Sequence, residues 1–412
     1  MPDNNIQGRV LIAGGGPVGL LVALGLARRG VPVTLVERES QIRDDPRAAT
    51  THPATLEVLD DFGLEGEVRA AGLVAPVFQF WDRPACELVA EFDHGLLADE
   101  TRFPYVVQCE QFKTSRIALA HLRREADAEI MMGYDVVAAG QDDDGVWLDV
   151  RPTGSQDAPS RLTGSWLVGA DGGRSLVRKA AEIPFDGFTY PEQFLVLTTP
   201  FDFEAERGYC FRSYFADPEE WCNCFKVIAD GPPGLWRTVF PVSTDLSEDE
   251  IMSDEAVQAK MQKFFPLDRD HEIVHRNLYR VHQRVAERFR KGRILLAGDA
   301  AHINNPIGGM GLNGGIQDAG NLVAKLSDLW HGRAGEEVLD LYDLQRRSLS
   351  INFVQAQSIE NKKRLEASDP ETRRENMENL RQIAADPVKA KAFLLGSSML
   401  RAQRTAAAMK LD

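Results

Sequence analysis

A glycine run, Gly14-Gly15-Gly16-Pro17-Val18-Gly19, and two later acidic turns, Gly169-Ala170-Asp171-Gly172 and Gly298-Asp299-Ala300-Ala301-His302, carry the residue types best suited to chemistry in this chain. The first fits a pyrophosphate: Gly14 permits a tight turn, Gly16 lets backbone approach the phosphates, and Gly19 lets a helix pack closely on a strand. A helix opening at Pro17 brings its partial positive charge to the same place. Glu37 follows Gly19 at about the 20-residue distance at which an acid reaches adenosine ribose hydroxyls. A carboxylate there repels a 2′-phosphate, so the unit suits FAD or NAD better than NADP.

Elements of the right kind flank each motif. Residues 9–13 form an apolar strand, Leu20, Ala23, Leu24 and Ala27 recur at helical spacing, Gly30 ends that helix, and residues 31–36 form the next strand. Residues 166–170 and 293–297 are further short strands, each ending in its acidic turn. For Asp171 the competing assignment is a helix cap, with a helix starting at residues 175–177. Beyond Asp299 lies Pro306-Ile307-Gly308-Gly309-Met310-Gly311-Leu312-Asn313, ahead of a helix expected over 315–329. Such an entry leaves several N–H groups free to stabilise an anion.

Length and composition set the class. With 412 residues, the chain has room for two or three domains, and 43% hydrophobic content suits a folded core. A net charge of -15 disfavours nucleic acid or an anionic membrane as the main partner. Five scattered cysteines without a CxxC pair suit a reducing compartment. The polar start and the absence of a run of about 18 apolar residues lead us to expect a cytoplasmic protein.

Between the second and third motifs the pattern becomes strand-like, with candidates at 209–215, 221–227 and 235–242 separated by Pro- and Gly-containing turns. This predicts an antiparallel meander placing Cys210, Arg212 and Tyr214 on one face and Tyr209, Phe211 and Ser213 on the other. The sequence leaves open which face is inward. His271-Glu272-Ile273-Val274-His275 matches the zinc-protease spelling HExxH, but its neighbours alternate like a strand, where positions i and i+4 are ~13 Å apart. Exposed strand histidines, and no metal, are expected there. Cys222 and Cys224 are expected to be packing residues. From residue 335 onward the pattern is helical: 336–350, 351–368, and 370–385, followed by an apolar stripe of Phe393, Leu394, Leu395, Met399 and Leu400.

Taken together, the three motifs resemble those of the class A flavoprotein aromatic hydroxylases, over about residues 8–350. The resemblance implies an α/β fold with a Rossmann-like FAD-binding domain of glutathione reductase type (1–75, 100–180 and 285–330). It also implies an inserted antiparallel-sheet substrate domain (76–99 and 181–284), to which residues 331–412 add a C-terminal helical segment. It implies hydroxylation of a small phenolic substrate with NAD(P)H and O2, through oxygen added at C4a of the flavin. Epoxidation or reduction on the same fold, and a catalytically silent flavin-binding redox sensor, are the alternatives, and a homodimer fits the family.

The resemblance also implies roles. Gly14, Gly15, Gly16, Pro17, Val18, Gly19, Glu37, Arg38, Arg47, Gln111 and Val136 contact FAD; Asp171 serves FAD and the nicotinamide donor, and Asp299 the ribityl chain. Pro306 lies against the flavin edge, while Gly311, Leu312 and Asn313 contact the ring. Arg212 and Tyr214 are candidates to hold a phenolic oxygen or a carboxylate, and His52 to take a phenol proton. A solvent-facing Arg212 and Tyr214, and a capping or packing His52, are the competing assignments.

Overall fold

The structure is a computed structural model and describes residues 8–411. Its organising element is a sheet in which five strands run parallel, in the order Ile294–Leu296, Trp166–Gly169, Val10–Ala13, Val33–Glu37 and Ala128–Met132. A short antiparallel strand, Arg290–Lys291, borders it. Each strand is brief and apolar because it is covered on both faces. The three motifs, more than a hundred residues apart in sequence, leave the carboxyl ends of three adjacent strands. Ala13 pairs with Gly169, and Gly169 with Leu296.

Helix Pro17–Ala27 is buried almost along its whole length, beneath helix Met310–Trp330 and beside helix Gln111–Leu122. It can lie this close because of glycine. A Cβ on Gly19 would sit 1.9 Å from the Gly14 carbonyl oxygen, and Gly14 itself holds φ = +105°. Both assignments made from spacing hold: one glycine for the turn, one for the close approach.

Helix Met310–Trp330 starts five residues earlier than its glycines suggested. Glycine disfavours a helix interior by ~1 kcal/mol, yet here contact requires it. A Cβ on Gly314 would fall 2.9 Å from the His302 ring, and one on Gly315 2.6 Å from Val18. Gly311, Leu312 and Asn313 therefore belong to the first helical turn, not to a loop.

A second, eight-stranded sheet has the order His302–Ile303, His275–Ala286, Phe185–Thr199, Leu235–Ser243, Cys222–Val227, Arg212–Ala216, Val77–Asp82 and Glu87–Asp93. The expected meander is its centre. One face packs Phe215, Cys222, Cys224, Trp236 and Phe240 against helix Asp254–Phe264. The other gathers Phe78, Phe80, Phe92 and Tyr214 with Ile307, Met310 and the C-terminal helices. Phe393 stacks on Phe92 at 4.6 Å between ring centroids, so the apolar stripe docks on the body of the protein.

The histidines of the HExxH segment are not two exposed strand residues. His271 precedes the strand that begins at His275, is buried, and its Nε2 lies 2.8 Å from the Phe265 carbonyl oxygen. Among the described residues no cluster of His, Cys, Asp and Glu is placed to hold a metal, and no helix is long and apolar enough to cross a membrane.

One buried charge ties the third motif to the C-terminal segment. Asp318 accepts from the Gly298 N–H (2.9 Å), pairs with His302 Nε2 (2.8 Å) and accepts from Arg346 Nε (2.6 Å). Burial pushes its carboxyl up, but the His302 and Arg346 charges and hydrogen bonds outweigh that and hold it below the usual range. Removing one partner of such a pair strands the other. Arg346→Met is therefore expected to cost about 3–5 kcal/mol, measured as a lower urea midpoint with an unchanged m-value.

Candidate active site

Helix Pro17–Ala27 begins at Gly16 with no side-chain cap and no acid in its first turn. An added Cβ on Gly16 would meet nothing within 4 Å, so open space stands where backbone must approach a phosphate. Glu37 Oε2 accepts the Gly15 N–H at 2.6 Å and Oε1 the Glu39 N–H at 2.8 Å. Gly15 thus steadies Glu37 instead of offering its amide to a phosphate. Each carboxylate oxygen can still accept a further bond.

The second helix N-terminus has the same character. Gly309 opens helix Met310–Trp330 in the left-handed region (φ = +70°), again with no side-chain cap and no acid in the first turn. The amides of Gly311 and Leu312 remain suited to an electron-rich ring. Asn313 plays another part than ring contact through its side chain. Fully buried, it accepts from the His52 N–H and donates to the carbonyls of Thr50 and Gly309. It clamps the His52 segment to the helix start.

Asp171 caps the helix that follows it. Its carboxylate accepts from Ser175 Oγ (2.5 Å) and from the N–H groups of Leu176 (2.7 Å) and Val177 (3.1 Å), which is the helix-capping assignment. The next residues carry a link. Arg178 donates to the Gly173 carbonyl (2.9 Å) and the Ala300 carbonyl (2.8 Å), fastening the second motif to the third.

Asp299 has exposed surface and no hydrogen-bond partner among the described residues, yet protein crowds it closely enough that desolvation lifts its carboxyl above the usual range. An accessible acceptor on the floor of a cleft fits a polyol chain. The charge of Arg47 lies near it. Arg47 itself is exposed, pairs with Asp45, and has its carbonyl held by Arg237 Nη1 at 2.9 Å. Gln111 is half-buried at the first position of its helix, with its N–H on the Ala48 carbonyl. Val136 lies half-buried in strand Tyr134–Gln141, and Arg38 is exposed beside Asp135. Pro306 is exposed at the tip of the loop before the second helix start.

Arg212 and Tyr214 face inward. Arg212 Nε and Nη2 both donate to the Tyr214 hydroxyl, at 3.0 and 2.8 Å, and the guanidinium lies 4.9 Å from the centre of the Phe78 ring. Arg212 is buried with no carboxylate in ion-pair contact among the described residues, and its Nη1 has no partner. His52 is fully buried beside it. Its Nε2 lies 2.8 Å from the Gly308 carbonyl, which can only accept, so the proton is on Nε2 and the Nδ1 lone pair is unpartnered. Burial first, and then the Arg212 charge, drive its pKa well below the ordinary histidine value.

Sequence reasoning missed His94. It follows strand Glu87–Asp93, lies tilted against Phe78 (5.4 Å between ring centres) and has Nδ1 2.9 Å from the Pro76 carbonyl. The only hint in the sequence was a lone histidine after an alternating strand; the sheet pairing that brings it to Arg212 is not written locally.

These features define a flavoprotein hydroxylase of aromatic compounds: two uncapped helix starts and a free acid along one cleft, with a buried cation among aromatic rings beyond. The chain belongs to the family described as FAD binding domain, whose model matches residues 7–357. It is 34% identical over 402 residues to a para-nitrophenol 4-monooxygenase of a Pseudomonas species, covering 96% of each chain. It is also 34% identical to a 6-hydroxy-3-succinoylpyridine 3-monooxygenase of Pseudomonas putida, covering 93% of this chain and 95% of that one. The crystal structure of a p-nitrophenol 4-monooxygenase from Pseudomonas putida superposes with a TM-score of 0.89 at 32% identity, covering 97% and 98% of the two chains. FAD is its cofactor.

The two phosphate-loop glycines separate binding from folding. Gly16→Val adds bulk only to open space and is expected to cut FAD occupancy more than about tenfold while leaving the apoprotein Tm within about 2 °C. Gly19→Val drives a side chain into the Gly14 carbonyl and is expected to lower both, read from flavin absorbance per protein and from thermal melts.

Proposed function

We propose that this protein hydroxylates a small phenol, using NAD(P)H as electron donor and O2 as oxidant, with the substrate held by Arg212, Tyr214 and His52 in front of the Pro306 loop. The observation that carries the reading is Arg212: a buried guanidinium without a carboxylate, with one N–H bond unmade. Isolated charge is expensive to bury, and the oxygen of a phenol supplies the missing partner. Bound FAD supplies the redox chemistry, accepting electrons from the nicotinamide and activating dioxygen.

The chain's own residues do the rest. The amides at Gly311 and Leu312 stabilise negative charge on the flavin ring, Val18 and Gly19 face the phosphates, and Asp299 accepts from the ribityl hydroxyls. Asp171 acts by fixing the Gly172–Gly173 turn. Phe78, Phe80, Phe92 and Phe393 exclude water, which protects a reactive oxygen species from being wasted. His52, neutral and with Nδ1 bare, offers a second hydrogen-bond acceptor beside Arg212.

In this reading the parallel-sheet region is a Rossmann-like FAD-binding domain of glutathione reductase type, and the eight-stranded sheet is the inserted substrate domain. Separate hydrophobic clusters beneath the two sheets support that division. Names of relatives acting on nitrophenol and pentachlorophenol point to phenols with electron-withdrawing substituents.

The deciding measurement is oxygen consumption by FAD-loaded protein with NADH or NADPH and a panel of phenols, with product identified by mass. At least one phenol is expected to stimulate turnover and appear hydroxylated; stimulation by none overturns the proposal. Arg212→Met is expected to lower kcat/KM for that phenol by at least about a hundredfold, with FAD retained.

A further inference from the structure

We propose that His94 recognises the substrate's hydroxyl hydrogen: its bare Nε2 accepts the O–H while Arg212 Nη1 donates to the same oxygen, so the site selects a free hydroxyl over an ether. This rests on the hydroxylase reading above and adds the residue that distinguishes hydroxyl from other oxygen groups.

Three buried atoms lack partners, Arg212 Nη1, His52 Nδ1 and His94 Nε2, and both imidazoles lie near enough to Arg212 to feel its charge. The two imidazoles are acceptors there, because each already directs its other nitrogen at a backbone carbonyl, Gly308 for His52 and Pro76 for His94. A donor and an acceptor side by side are satisfied together by a group that is both, and a phenolic hydroxyl is one. A carboxylate or nitro group offers no hydrogen, and an unpaired acceptor left against it costs the full desolvation penalty.

His94 and Arg212 share one platform. The ring of Phe78 has the guanidinium over it, 4.9 Å from its centre, and the imidazole tilted against it at 5.4 Å, so one aromatic side chain packs against both polar groups. His52 is held elsewhere, at the start of helix Pro53–Asp61 with its ring on the Gly308 carbonyl of the Pro306–Gly309 loop. The two histidines are thus separable by position.

Electrostatics keeps His94 in the accepting state. Burial, then the Arg212 charge, lowers its pKa to about 4, against smaller opposing effects from the Pro76 carbonyl and Asp93. Its Nε2 is therefore unprotonated near neutral pH. Such a group is a weak base toward a resting phenol, and its role is recognition.

The test uses oxidised, FAD-loaded protein without reduced nicotinamide, so nothing turns over. Binding of 4-methylphenol and of its methyl ether, 4-methylanisole, is measured by calorimetry and by perturbation of the flavin spectrum. The wild type is expected to prefer the phenol by about tenfold or more. In His94→Phe, which keeps an aromatic ring beside Phe78, that preference is expected to fall to within about twofold. In His94→Gln, whose amide oxygen can still accept, much of it is expected to survive.

A preference unchanged in His94→Phe overturns the inference and leaves the hydroxylase reading standing, since another acceptor must then hold the hydrogen. Equal binding of phenol and ether by the wild type overturns it likewise. If neither ligand binds the wild type, the inference falls, and the turnover panel decides the hydroxylase reading separately.

Discussion

The buried carboxylate of Asp318 is the constraint on which the rest of the cofactor cleft depends. It holds the Gly298 N–H, His302 and Arg346 at once, and Arg346 reaches on to the Gly314 carbonyl and to Gln403 near the C-terminus. The turn bearing Asp299, the start of helix Met310–Trp330 and the last helices are thereby one unit. Asp318 lies in helix Met310–Trp330, so the start of that helix is fixed relative to Asp299. Arg178 extends the unit by joining Gly173 to Ala300.

Against this well-paired frame, the polar groups left unmade stand out. Buried polar atoms in folded proteins nearly always find partners. The exceptions are spread through the protein and include Arg212 Nη1, His52 Nδ1 and His94 Nε2, whose residues interact electrostatically. Asp299 also accepts from nothing among the described residues. Stability alone would fill these positions; a ligand that supplies the partners explains why they are empty of side-chain contacts.

Much of the cleft was legible in the sequence because its chemistry is local. A turn at positive φ needs glycine, a close helix approach needs glycine, and an acid at a strand end needs only the correct count of residues. The meander and the C-terminal helices followed from periodicity in the same way. The backbone ties of Asp171 and Asn313 were not legible for a shared reason: a short polar side chain beside a glycine turn can face a ligand or tie nearby backbone, and the local pattern is identical for both. The start of the third helix was placed too late because glycine propensity was weighed without the packing of Gly314 and Gly315 on His302 and Val18.

The sequence by itself determined the kind of ligand, since glycine spacing, strand ends and a following acid are properties of neighbouring residues. Only the tertiary structure brought together the groups proposed to hold the substrate's oxygen. Arg212, His52 and His94 come from three distant segments, and each became chemically distinctive through what surrounds it. Burial and a missing counter-charge make Arg212 an anchor, while bonds to two backbone carbonyls fix both histidines as acceptors. Those are consequences of sheet order and packing, which no local pattern encodes.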